Sequence, residues 1–331
     1  MSAGIAEVSA ELVTAVQFAA ARERIRDAVL HTPLVRFASI TDAAAYLKPE
    51  SLQPIGSFKL RGAYNAVASL TDEQRRRGVI TYSSGNHGQG VAYAARAFGI
   101  PAVIVMPASA PEIKRRATAA LGAQIVGVGP ASSERKDRAE ALAAEHGYTI
   151  IPPYDDPAII AGQGTCGLEI LEDCPDVDLV LAPVGGGGLL SGVAAAIRQQ
   201  RPECRVVGVE PELAGDAAAS LKEGRIIEYT AEQTTRTLAD GLRTQSLGER
   251  NFAHIRRYVE RIITVTEPEI EDAMRAIVWD GRLIAEPSGA VATAALLFHR
   301  DELPPHRTAV AIISGGNAEP ATLVRVLGAP R

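Results

Sequence analysis

A chain of 331 residues, 47% apolar and 22% charged, is long enough for about two domains and can bury a sizeable core. Its formal net charge of −5 and acidic pI argue against a nucleic-acid or anionic-membrane partner and leave small molecules as the expected ligands. No apolar run approaches the ~20 residues of a membrane span, and the first residues lack a basic segment followed by an apolar one, so a cytoplasmic protein is expected. Cys166, Cys174 and Cys204 form no C-x-x-C pair and read as small buried hydrophobes in a reduced compartment.

The period of the apolar residues keeps switching along the chain. Lys59 opens an apolar, small-residue helical stretch over 63–70. Arg75, Arg76 and Arg77, beside Asp72 and Glu73, read as a solvated helix face. A β-branched strand at 79–82 precedes an Ala-rich helix over 91–98 that Gly99 ends. The near-continuous apolar run 102–106 suits a strand buried on both faces. Pro107 breaks it. A helix over 111–121 is closed by Gly122, a strand covers 124–128, a charged helix over 132–145 stops at Gly147, and a strand follows at 148–151. Four strands alternating with three helices imply right-handed βαβ units and a parallel sheet. The pattern resumes after Pro157, with helices over 158–171, 189–198, 267–281 and 288–299 and strands over 179–184, 205–209, 262–265 and 309–313. The Pro152–Pro153 pair marks the boundary between one α/β module and the next.

In open α/β sheets, ligands bind at the carboxyl ends of strands against helix N-termini, and that rule selects four places. Gly185, Gly186, Gly187 and Gly188 follow an apolar strand and precede a helix, so their amides can converge into a phosphate cradle. The segment matches neither G-x-x-x-x-G-K-[ST] nor G-x-G-x-x-G, so ATPase and NAD readings are weak. Ser83, Ser84, Asn86 and His87 offer hydroxyl, amide and backbone donors suited to a carboxylate, and are equally good helix-capping chemistry. Lys59 lies in apolar surroundings that would lower its pKa and favour covalent capture of a carbonyl, although a snorkelling lysine is the default reading of any single one. Ser314 ends the last strand. Together these parts are the ones needed to hold pyridoxal phosphate.

These residues resemble the threonine dehydratase and serine racemase branch of the fold-type II pyridoxal-phosphate enzymes. Ser57-Phe58-Lys59-Leu60-Arg61-Gly62-Ala63 is similar to the cofactor-lysine segment, Ser83-Ser84-Gly85-Asn86-His87-Gly88-Gln89 to the substrate-carboxylate loop, Gly185 to Gly188 to the phosphate loop and Ser314-Gly315-Gly316-Asn317 to the ring-nitrogen loop. Further matches lie at 161–165, 239–241 and 286–289, so the likeness spans nearly the whole chain. The resemblance implies an α/β fold of two open parallel-sheet domains, 76–151 and 1–75 with 152–331, with the cofactor in the cleft between them.

It implies a PLP-dependent ammonia-lyase that converts L-threonine and L-serine to 2-oxobutanoate and pyruvate. A serine racemase and a 3-hydroxyaspartate dehydratase are the alternatives. Lys59 would carry the cofactor and move the Cα proton, Phe58 would pack near its ring, Asn86 would bond its 3′-oxygen, and Ser314 its ring nitrogen. Ser83, Ser84 and His87 would sit near the substrate carboxylate, and Ser84 could act catalytically from the face opposite Lys59. Glu210, Ala214 and Asp216 match positions where racemase-like members bind a divalent cation, Mg²⁺ or Ca²⁺, through two carboxylates and a carbonyl. A homodimer is the family expectation.

Two departures stand out. Pro152 replaces a histidine common in relatives. Arg135 occupies a position near the racemase active site, where it could favour an acidic substrate, although a helix-surface arginine is the simpler reading. The chain ends soon after the Ser314 loop, so feedback by isoleucine through a regulatory domain is not expected.

Overall fold

The computed structural model describes residues 11–40, 42–83, 85–108, 110, 112–129 and 132–328. Helix α1 (Ala15–Ile25) is opened by a capping box, in which the Thr14 hydroxyl accepts from the Gln17 amide and the Gln17 side chain accepts from the Thr14 amide. The chain then forms β1 (Val35–Arg36), β2 (Ala44–Pro49), α2 (Lys59–Ala68), α3 (Asp72–Arg77), β3 (Val79–Tyr82), α4 (Asn86–Phe98), β4 (Ala102–Pro107), α5 (Glu112–Ala120), β5 (Gln124–Val128), α6 (Ser132–His146) and β6 (Thr149–Ile150). After the double proline come α7 (Pro157–Asp173), β7 (Leu179–Pro183), α8 (Gly188–Gln200), β8 (Arg205–Pro211), α9 (Asp216–Glu223), α10 (Ala231–Thr234), α11 (Glu249–Tyr258) and β9 (Arg261–Val265). The chain closes with α12 (Glu267–Trp279), α13 (Pro287–Phe298), β10 (Thr308–Ile313) and α14 (Pro320–Gly328).

The strands make two sheets. The smaller has order β5-β4-β3-β6 and is parallel throughout. The larger has order β1-β2-β10-β7-β8-β9 and is parallel except for β1, which runs against β2. The central strands β4 and β7 are buried at every residue, as their unbroken apolar runs require when helices cover both faces. Glycines at 99, 122 and 147 all adopt positive φ just after α4, α5 and α6, so the three stop signals act as expected.

Strands β1 and β2 have no counterpart in the sequence reading. β2 reads Ala-Ala-Tyr-Leu-Lys-Pro, which has neither alternation nor a clean apolar run, and it is a strand because it adds in parallel to β10 from the far end of the chain. Helix α3 has no buried residue, and Arg77 pairs with Glu73 at 2.5 Å, the solvated face the charge run suggests. Arg75 differs, because its guanidinium lies 4.8 Å from the Phe98 ring centroid.

Helix α2 sits where the two layers meet. Its Ala63, Ala66 and Val67 join the core of the smaller sheet with Val79, Val91 and Ile104. On its other side it crosses α7 in close contact: a Cβ on Gly162 would fall 2.6 Å from the Arg61 carbonyl oxygen. The helix that begins at Lys59 is therefore held between the sheets rather than on either surface.

Candidate active site

The carboxyl ends of β3, β7 and β10 carry the loops selected from the sequence, and the structure brings them together at the start of α2. Ser57 bridges Gly315 in antiparallel fashion, the Phe58 amide donates to the Ser314 carbonyl at 3.0 Å, and the Gly316 amide donates to the Gly56 carbonyl at 2.9 Å. This short ladder sets Lys59 beside the Ser314 loop. Ser314 is 4% exposed, and its hydroxyl makes a long 3.3 Å bond to the Ser288 carbonyl. The Ser57 hydroxyl is buried and unpartnered.

Lys59 is half-buried. Its ammonium donates to the Pro153 carbonyl at 2.7 Å and lies 5.3 Å from the Phe58 ring centroid. Burial pulls its pKa from 10.5 to about 8, the direction expected of an amine that must act as a nucleophile near neutral pH.

The tetraglycine segment follows β7. Gly187 adopts φ +97° and caps α8, which begins at Gly188. The amides of Gly185, Gly186 and Gly187 have no acceptor among the described residues, and Gly186 and Gly187 are buried. Buried untaken amides next to a helix N-terminus form an anion cradle. Tyr154 lies against it: a Cβ on Gly186 would fall 2.4 Å from the Tyr154 ring. Behind the loop, Asn251 donates to the Gly186 carbonyl at 2.8 Å. Residues 153 and 154 thus span from the Lys59 amine to the glycine cradle.

On the smaller sheet, the Ser83 hydroxyl accepts from the Gly85 amide at 3.1 Å. Ser84 lies outside the described residues. Asn86 opens α4 and is clamped on both sides, its amide nitrogen on Glu286 at 2.5 Å and its amide oxygen on Asn317 at 2.9 Å. His87 is 2% exposed; its Nε2 meets the Ile151 carbonyl at 3.0 Å, and Nδ1 is unpartnered. A carbonyl accepts only, so Nε2 carries the proton and Nδ1 offers a lone pair. Burial, then the neighbouring Lys59 charge, lowers the His87 pKa to about 3, so the ring stays neutral near pH 7.

The sequence reading missed how this side is fastened. Lys114 of α5 is 3% exposed, donates to Asp240 at 2.6 Å and pairs with Glu286 at 3.2 Å. Burial alone would lower its pKa, but Glu286 and then Asp240 raise it above the usual lysine value. Burial raises the Glu286 pKa, against the pull of Lys114. A Cβ on Gly315 would fall 2.4 Å from a Glu286 oxygen, so the carboxylate lies against the Ser314 loop. Lys114 is the middle of neighbouring Ile113 and Arg115 in a helix rich in charge, and no sequence pattern marks it as buried.

Glu210, Ala214 and Asp216 come together at the end of β8 and the start of α9, each 1% exposed. Glu210 accepts from the amides of Ala218 at 2.6 Å and Ala217 at 3.2 Å, and Asp216 keeps a buried unpartnered oxygen. Burial and then Asp216 push the Glu210 pKa well up, and burial raises Asp216 to about 7. Two buried carboxylates with no cationic side chain on them among the described residues suit a hard cation. Arg135 lies on a helix, as expected. It is half-buried on α6, and burial lowers its pKa.

The chain belongs to the pyridoxal-phosphate dependent enzyme family, whose model matches residues 25–315. It is 42% identical over 302 residues to an L-threo-3-hydroxyaspartate ammonia-lyase of Saccharomyces cerevisiae, covering 90% of this chain and 91% of the relative. To an L-threonine ammonia-lyase of Thermotoga maritima it is 43% identical over 303 residues, 90% of this chain and 74% of the relative. Among solved structures, maize serine racemase superposes with a TM-score of 0.90 at 36% identity, covering 96% of this chain and 97% of that one. The α/β architecture of two parallel-sheet layers is shared with the maize structure. Among the described residues, no helix is long and apolar enough to cross a membrane.

Proposed function

We propose that the protein is a pyridoxal-phosphate-dependent ammonia-lyase that removes water and ammonia from L-threonine and L-serine, giving 2-oxobutanoate and pyruvate. The observation that carries this reading is the Lys59 amine, depressed to about pH 8, held one residue from a cradle of buried untaken glycine amides. The cofactor, when bound, accepts the electron pair left at Cα. In this reading Gly185, Gly186, Gly187 and Gly188 hold its phosphate, Ser314 meets its ring nitrogen, Asn86 its 3′-oxygen, and Phe58 lines its ring. Lys59 carries it and then takes the Cα proton, a task suited to an amine titrating near working pH. Ser83 and His87, with Ser84 between them in sequence, are assigned to the substrate carboxylate; with Nε2 on Ile151, His87 contributes shape and a lone pair rather than charge.

Glu210, Asp216 and the Ala214 carbonyl form the site for Mg²⁺ or Ca²⁺, supported by the unpartnered Asp216 oxygen. We assign the enzyme to the cytoplasm as a homodimer, with domains 76–151 and 1–75 with 152–331. Similarity to a 3-hydroxyaspartate ammonia-lyase supports a second reading in which the β-substituent is a carboxylate. Holoenzyme assayed for 2-oxo acid with threonine, serine and 3-hydroxyaspartate separates them: higher kcat/KM for threonine supports the first, higher for 3-hydroxyaspartate the second. D-serine accumulating from L-serine with little 2-oxo acid would replace both with a racemase.

A further inference from the structure

Among the described residues, the largest fully buried side chain is a charged one, Arg61, in the first turn of α2. Its guanidinium is saturated. Nε and Nη2 fork onto Glu50 at 2.7 and 2.8 Å, Nη1 and Nη2 fork onto Glu169 at 2.7 and 2.8 Å, and Nη1 also donates to the Thr165 hydroxyl at 3.1 Å. Buried Lys48 completes the group with bonds to Glu169 at 2.7 Å and to the Thr32 carbonyl at 2.6 Å. Two buried cations face two buried carboxylates, and Asp173, 3.8 Å from the Lys48 ammonium, stands at the edge of the cluster. Glu50 follows β2 and Glu169 belongs to α7, so the planar fork ties α2 to two separate elements of the large layer.

Stability does not require such a cluster, because well-packed apolar side chains often replace a buried ion network at no loss. Its geometry does something an apolar core would not. Two bidentate pairs fix the plane of the guanidinium, and through it the rotation of the helical turn that carries it. Lys59 and Arg61 are two residues apart, about 200° around a helix, so they leave on opposite faces. At a side-chain radius of ~6 Å, a 10° rotation of the turn moves a group on the far face by on the order of 1 Å. A displacement of that size at reacting groups costs about 100-fold in rate. The rest of the turn is fitted closely: a Cβ on Gly90 would fall 3.1 Å from the Lys59 carbonyl oxygen.

We infer that Arg61 is a positioning residue, whose two carboxylate forks set the azimuth of α2 and thereby aim the Lys59 amine at the reacting carbon. This rests on the assignment of Lys59 proposed above. Arg61→Lys keeps the charge but cannot hold two carboxylates bidentately. The holoenzyme of this variant is expected to lose about 10- to 100-fold in kcat with L-threonine, KM staying within about twofold. The pH midpoint of its visible lysine–cofactor band is expected to shift. Ile277→Val, a core change remote from α2, lowers the melting temperature while leaving kcat and the band unchanged, which separates aim from stability. Should Arg61→Lys fail to fold, Thr165→Val removes a single bond from Nη1 and is expected to lower kcat about fivefold in the same direction. A variant that folds and matches wild type in kcat and band midpoint overturns the inference. A wild-type protein without the band overturns the assignment of Lys59 and this inference with it.

Discussion

The ε-amine of Lys59 donates to the carbonyl oxygen of Pro153 at 2.7 Å, so this amine rests on the strand-to-helix crossing that leaves the smaller sheet. The next residue, Tyr154, packs against Gly186. One short segment therefore registers both the amine and the glycine cradle.

Burial of Lys59 makes the cofactor-free protein sensitive to alkaline pH. Its pKa is 10.5 unfolded and about 8 folded, so between these values the unfolded chain binds the proton and the folded chain does not. Stability of the cofactor-free protein should rise with pH across that window. Below pH 8 the penalty is complete, and cofactor-free Lys59→Met should be more stable than wild type by about 1–3 kcal/mol, the lower figure reflecting partial access to water. The advantage should vanish above about pH 10.5, as read by urea unfolding. Lys59→Met should also form no 2-oxo acid.

Gly186→Ala should weaken retention of the cofactor about 10-fold or more, since the new methyl carbon meets the Tyr154 ring at 2.4 Å. Adding Tyr154→Ala removes the obstacle and should recover part of the affinity. Equilibrium dialysis of the two variants checks this, and equal loss in both would place the fault in the loop backbone.

Lys114→Met leaves the Glu286 carboxylate buried without its cation, and should destabilise the protein by about 3–5 kcal/mol. Glu286→Gln in the same chain removes the orphaned charge and should restore most of that loss. A double-mutant cycle in urea measures the coupling.

Mg²⁺ or Ca²⁺ at a hundredfold excess over its dissociation constant should add about 2.7 kcal/mol to the stability. The gain should disappear with a chelator and in Asp216→Asn, whose amide cannot replace the unpartnered buried carboxylate oxygen. A melting temperature indifferent to cation in wild type removes the metal from this site.

What the amino-acid sequence determined by itself was the part of the molecule written in local periods and local conformational demands. Unbroken apolar runs at 102–106 and 179–184 became the central strands β4 and β7, and Gly99, Gly122 and Gly147 ended helices, because burial on both faces and positive φ each leave a mark within a few residues. The loops after β3, β7 and β10 could be picked out for the same reason, since a strand end and four consecutive glycines are both local marks. Tertiary structure alone decided that Ala44–Pro49 is a strand, that Arg61 and Lys48 lie at 0% exposure, and that Lys114 faces Glu286 rather than water. Arg61, Lys48 and Lys114 are buried against carboxylates that arrive from other elements, and nothing in the residues next to them announces those partners.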